Sequence, residues 1–220
     1  MKLTPICISL FLGATTLMAQ QPSTVHNLTL DVENQGAGGA SKSTNGTTQN
    51  NNNNNNNNTT YTTTSSQTHN HATTLGVTIR SLDKVQDQVK VEWWFFGRKM
   101  QNYRPGKETV FDSGTKEVTL APTGSSVFTI TSKVAQTTRS TQTTTTNNNN
   151  NNNRNGRNTN NNVTTNTTET QSGTEISGWV VRIWVDGKIY EAKGSEFKYE
   201  DAAKDPDKFA QLKAGKEVQW

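Results

Sequence analysis

Cysteine is almost absent: Cys7 is the only one in the 220-residue chain. It falls inside the first 19 residues, so the rest of the chain has no disulfide, thiolate metal ligand or cysteine nucleophile. Folding must therefore rest on packing alone. Long hydrophobic runs are missing too. The longest, Ile6 to Leu17, is broken by Ser and Thr and falls short of the roughly 20 residues that a spanning helix needs. Charge of one sign is not gathered anywhere. The formal net charge of +4 includes Lys2, and the other basic residues are interleaved with acids, as in Lys84, Asp87, Lys90, Glu92 and Lys188, Glu191, Lys193, Glu196. Nucleic-acid binding needs clustered positive charge to displace counterions, so that class is excluded.

Catalytic signatures are also missing. There is no Gly-X-Ser-X-Gly elbow, no HEXXH pair and no glycine-rich phosphate loop. Asp112, Asp186 and Glu191 each have a turn or a pairing to explain them, and nothing nominates two carboxylates across a cleft. The chain reads as a non-enzyme without a cofactor. His69 and His71 stand at i, i+2, a spacing that can contribute to a metal site, but no third ligand lies near them. No metal site is assigned, and His26 reads as a surface strand residue.

The N-terminus supplies an address. Met1-Lys2, the apolar run and the small residue Ala19 before Gln20 read as a signal peptide over residues 1–19. The expected location is the periplasm, the outer surface or the medium. Sequons at Asn27, Asn45, Asn58, Asn162 and Asn166 are the chance product of an Asn/Thr-rich composition.

Residues 20–220 form a single domain with two insertions, at about 33–73 and 136–174. The insertions contain Asn50 to Asn58 and Asn147 to Asn153 in tracts of Asn, Thr, Ser and Gly. With hardly an aliphatic side chain, they offer little burial against an ordering entropy of roughly 1–2 kcal/mol per residue, which predicts disordered loops. The remaining pieces show period-two alternation. Leu28, Leu30, Val32; Leu75, Val77, Ile79; Val89, Val91, Trp93, Phe95; Val118, Leu120; Phe128, Ile130; and Trp179, Val181, Ile183, Val185 are the inward sets. Turn signals stand at Asp83-Lys84, Arg104-Pro105-Gly106, Asp112-Ser113-Gly114, Pro122-Thr123-Gly124 and Asp186-Gly187. Seven to eight antiparallel strands in an all-β sandwich follow. A short C-terminal helix follows too, with Asp205 as N-cap, Pro206 at its first position and Phe209 and Leu212 on one edge; Ser195 to Lys204 adds a helical turn before it. Strand parity sends the first tract out after strand one and the second after strand six, hence from opposite ends.

Two finer expectations concern side chains. With Asp186-Gly187 as the loop, Ile183 faces Tyr190 and Arg182 faces Glu191 as a cross-strand ion pair. On the VEWWFFG strand, Trp94 and Phe96 point away from the core, and Trp184 shares their face. These three aromatics form a candidate binding patch for a glycan or a protein. Alternatively, the C-terminal segment folds back over them, because Phe197, Tyr199, Phe209, Leu212 and Trp220 have no other place to dock.

The stretches LGVTIRSLDKVQDQVKVEWWFFGRK, VFDSGTKEVTLAPTGSSVFTITSKV and SGWVVRIWVDGKIYEAKGS, with the Asp-Pro helix after them, resemble a group of uncharacterised secreted proteins of verrucomicrobial-type bacteria. That resemblance implies an immunoglobulin-like sandwich in the cell envelope, beside pilus-like surface structures. It implies no catalytic residue. The expected partner is a protein, a glycan or a second copy of the chain. An accessory subunit of an enzyme is a further alternative.

Overall fold

The computed structural model describes residues 26–51, 59–83, 87–149, 161–210, 212 and 215–218; the predicted signal peptide, the Asp83-Lys84 turn beyond Asp83, and Trp220 lie outside them. The strands are β1 (Leu28–Asn51), β2 (Thr59–Ser81), β3 (Asp87–Gln101), β4 (Arg104–Leu120), β5 (Ser125–Thr131), β6 (Ala135–Asn149), β7 (Asn161–Val185) and β8 (Lys188–Gly194), followed by helices α1 (Phe197–Ala203) and α2 (Pro206–Ala210). All strands join one antiparallel sheet in the order β1-β2-β6-β7-β3-β4, with β5 on β2 and β8 on β7. The fold is all-β with two short C-terminal helices.

The sheet has a fork. Beyond it, β1, β2, β6 and β7 run together as a four-stranded ribbon, with β6 pairing β2 from Thr59↔Asn147 to His71↔Ala135 and β7 up to Thr137↔Gly173. At the fork β2 exchanges β6 for β5, while β7 continues between β3 and β8. The two branches enclose the main core. Leu28, Leu30, Leu75, Val77, Ile79 and Ile130 come from one branch; Val89, Val91, Phe95, Val118, Leu120, Trp179, Val181, Ile183 and Val185 come from the other. Gly173, at φ +120°, marks the split; a Cβ there would run into the Gln136 carbonyl. The predicted inward sets are thus the observed ones, with Val32, Trp93 and Phe128 half-buried at the margin.

Four expectations are corrected. The described parts of both Asn/Thr tracts are strands where loops are expected, while most of the two Asn runs, at 52–58 and 150–153, lies outside the described residues. Burial is not the only way to offset ordering entropy: each tract strand has hydrogen-bonded neighbours, and β-branched Thr suits a pleated surface. Thr hydroxyls meet across the strands on both faces, Thr68 with Thr138 at 3.2 Å and Thr143 with Thr167 at 3.5 Å. The tracts also leave from the same end. Arg104–Leu120 is one strand, so Arg104-Pro105-Gly106 and Asp112-Ser113-Gly114 lie within it and the β3–β4 reversal uses Asn102 (φ 51°) and Tyr103 (φ 63°). Moreover β5 and β6 both run antiparallel to β2, so the chain does not reverse between them. Finally, the hairpin at Asp186 (φ 50°) and Gly187 (φ 72°) begins in the predicted register, but Tyr190 is bulged out, and Ile183 then faces Glu191 and Arg182 faces Ala192. Arg182 finds its carboxylate on the other neighbour, opposite Glu92 of β3.

Candidate functional site

Trp94 and Phe96 do point away from the main core, and the C-terminal segment covers them. Phe96 is fully buried and Trp94 is 7% exposed, in a second cluster with Val110, Val180, Tyr199, Phe209 and Val218. Phe96 stacks on Tyr199, with ring centroids 4.8 Å apart at 8°, and Trp94 meets the edge of Phe209 at 4.8 Å. The predicted helix start holds both in place: the Asp205 carboxylate accepts from the N–H groups of Asp207 (3.0 Å) and Lys208 (3.2 Å). Only half-buried Trp184 keeps accessible area, so the three aromatics do not form one open platform.

Beneath α2 lies an open cleft of about 540 Å³, lined by Trp94, Trp184, Glu92, Lys90 and Phe209 around Arg182. The Arg182 side chain is 2% exposed. Its guanidinium lies 4.9 Å from the Trp94 ring and 4.8 Å from the Trp184 ring, and donates to Glu92 (2.9 Å) and to the Ala203 carbonyl at the end of α1 (3.1 Å). Glu92 also accepts from Trp184 Nε1 at 2.7 Å and pairs with Lys90 at 2.7 Å. Burial pushes the Glu92 carboxyl up, but the bonds from Lys90, Arg182 and Trp184 outweigh it and hold the group below the ordinary 4.5. Arg182 is thus the charged group of this cleft that ties the helices to the sheet, and Lys90 and Glu92 pair beside it.

His26 is not an ordinary surface residue. Its Nδ1 lies 2.8 Å from the Asp87 carboxylate and its Nε2 2.7 Å from that of Asp186, tying the start of β1 to β3 and to the β7–β8 turn. Asp83 stands beside them, its carboxylate accepting from the Asn27 N–H at 2.7 Å. Ligand atoms of His26, Asp83 and Asp87 lie within 4.8 Å of one another, a grouping able to hold a divalent cation that no local sequence spacing announces. Both ring nitrogens already face carboxylates, which suits an imidazolium. The bond to Asp186 raises the His26 pKa above 6.5, burial opposes it, and Asp87 adds to the rise. A raised folded value means the stabilisation is fully present below 6.5 and is lost as pH rises through the folded value. Denaturant melts should therefore show wild-type stability falling above neutrality relative to His26→Gln; parallel pH profiles would refute the clamp. His69 and His71 lie on β2 within the ribbon, where His69 bonds Ser41 at 3.1 Å.

The ribbon itself is the surface with unmet bonding capacity. Near the body, the outer edge of β1 is covered: Leu28 N–H donates to the Tyr190 hydroxyl (3.0 Å) and Leu30 N–H to Glu191 (2.9 Å). Those two bonds fix which N–H groups point away from β2, since direction alternates along an antiparallel strand. The bulge between Asn34 and Ala37 shifts the alternation by one, so beyond it Ser41, Ser43, Asn45 and Thr47 point outward. Carried through the β2–β6 and β6–β7 registers, the same alternation turns Thr165 and Thr167 outward on β7. Among the described residues no other element covers these groups. Among the described residues the ribbon strands contain no proline, and Lys42, Arg139 and Glu169 are their only charged residues apart from the histidines. Two of those cancel, Arg139 bonding Glu169 at 2.8 Å. Natural sheets blunt exposed edges with proline, charge, bulges or cover; here β1 from Gly39 to Asn51 and β7 from Asn161 to about Glu169 have almost none of these.

Among the described residues no helix is long and apolar enough to cross a membrane. No protein-family model matches the chain, and neither the curated proteins nor the solved structures contain a significant match to it.

Proposed function

We propose that this is an exported, non-enzymatic protein of the cell envelope or exterior, with an immunoglobulin-like sandwich as its body, that acts by assembly through the ribbon. The carrying observation is the pair of long, nearly uncharged strand edges on β1 and β7. Such edges recruit further strands by main-chain hydrogen bonding, and Asn and Thr side chains extend ladders across each new pair. A signal peptide over residues 1–19, as the sequence predicts, would carry these edges out of the cytoplasm, where a surface structure would be built. The occupant that fits is a second copy of the ribbon, because four Asn/Thr-rich strands already pair with one another within a single chain. With so few charges, assembly should be nearly indifferent to salt. Light scattering of the full chain after size exclusion should show masses above the monomer that rise with concentration and persist at high salt. A monomer at every concentration would sink the reading.

A further inference from the structure

We propose that, if the ribbon assembles as inferred above, its copies join through two different two-fold contacts, β1 beside β1 and β7 beside β7, so that the bodies alternate on opposite sides of a continuous sheet. The geometry comes from direction and size. β1 and β7 run antiparallel to each other across the ribbon, since each step from β1 to β2, β6 and β7 reverses. Two ways of adding a copy therefore give an antiparallel junction. Simple translation sets β7 of one copy beside β1 of the next. A two-fold axis normal to the sheet sets like beside like.

The body decides between them. Four strands advance the sheet by only about 19 Å, whereas a body of roughly 120 residues is on the order of 35 Å across. Translation would force neighbouring bodies into the same space. A two-fold contact places them at opposite ends of the ribbon, which extends some 13 residues past the fork, about 44 Å. Bodies on one side then recur every eight strands, about 38 Å, which leaves room for each. Two unlike two-fold contacts do not close, so the product is an open filament without polarity.

Register follows as well. Full overlap of β1 from Gly39 to Asn51 with its copy puts Asn45 of one chain beside Asn45 of the other, and Lys42 does not meet Lys42. Asn45 has an outward N–H, so this would be a hydrogen-bonded pair with Cα atoms about 5.5 Å apart, inside the range that a disulfide spans.

Three variants test this. Ser43→Pro removes an outward N–H on the β1 edge and Thr167→Pro one on the β7 edge, and neither donor serves the ribbon's own ladder. With two-fold contacts each single variant stops at twice the monomer mass and the double variant is monomeric. With translation each single variant alone is monomeric, and mixing the two gives a dimer, which would overturn the proposal. Asn45→Cys in a Cys7→Ser chain reports independently of proline's effect on the strand. Mild oxidation should yield a covalent dimer in the assembled protein, and its absence there counts against β1 pairing with β1. A wild-type chain that never assembles defeats the proposed function itself, a result distinct from monomeric single variants of an assembling wild type.

Discussion

Glu92→Gln should destabilise the fold by about 3 kcal/mol, the lower end of the cost of stranding a buried charge. The Arg182 side chain, 2% exposed, would lose its only carboxylate partner among the described residues, while its stacking on Trp94 and Trp184 and its bond to Ala203 remain, which keeps the loss from being larger. The amide can still accept from Trp184, so the effect isolates charge. Arg182→Met retains bulk between the two indoles and leaves Glu92 with Lys90 and Trp184. Adding Glu92→Gln to Arg182→Met should then cost much less than Glu92→Gln alone, because no buried cation remains to be stranded. The coupling in a double-mutant cycle should exceed about 1 kcal/mol. Urea melts at neutral pH measure all four corners. Acid should mimic the mutation: a carboxyl held below 4.5 contributes stability that is present above that value and lost as pH falls through the folded one. A loss below about 1 kcal/mol for Glu92→Gln would mean that Arg182 is satisfied without it.

The sequence was legible wherever one rule governed the outcome. Period-two alternation sorted VEWWFFG into its two faces, because a strand through a layered core has no other way to bury Val89, Val91 and Phe95. The Asp-Pro start of α2 and the Asp-Gly turn were readable because capping and positive φ are local demands. What failed to show was non-local. The bulge at Tyr190 exists because its hydroxyl bonds Leu28 N–H and the His26 carbonyl across 160 or more residues, and one extra residue undid the predicted Arg182–Glu191 pair. His26, Asp87 and Asp186 are scattered along the chain and meet only because β1, β3 and the β7–β8 turn end together. The tracts misled for a different reason. Judged alone, each lacks apolar surface and should not order; set beside one another, their four strands pair without any core and leave only the two outer edges unmet. Composition describes a segment, whereas pairing is a property of its neighbours.

That separation between ribbon and body leads to the largest expected effect. Phe96→Ala should cost roughly 3–5 kcal/mol, the range for emptying a fully buried phenylalanine site. The ring touches both pieces of the cover, stacked on Tyr199 and edge-on to Phe209 at 6.4 Å. Its loss releases α1 and α2 together and exposes Trp94. Tyr199 also bonds Glu108 at 2.8 Å, and Glu108 accepts from Ser177 at 2.6 Å, so a polar node under the helix would be disturbed as well. Trp184→Ala, at a half-buried position whose ring bonds Glu92 from the cleft margin, should cost markedly less. Limited proteolysis should cut Phe96→Ala within residues 197–218 at a rate that leaves the wild type intact. The second cluster contains no ribbon residue, so hydrogen exchange along Thr59 to His71 should be unchanged while the β1 and β7 edges keep their capacity to pair. Loss of ribbon protection together with the helices would show that the two parts fold as one cooperative unit and that the outer-face cover supports the assembling arm.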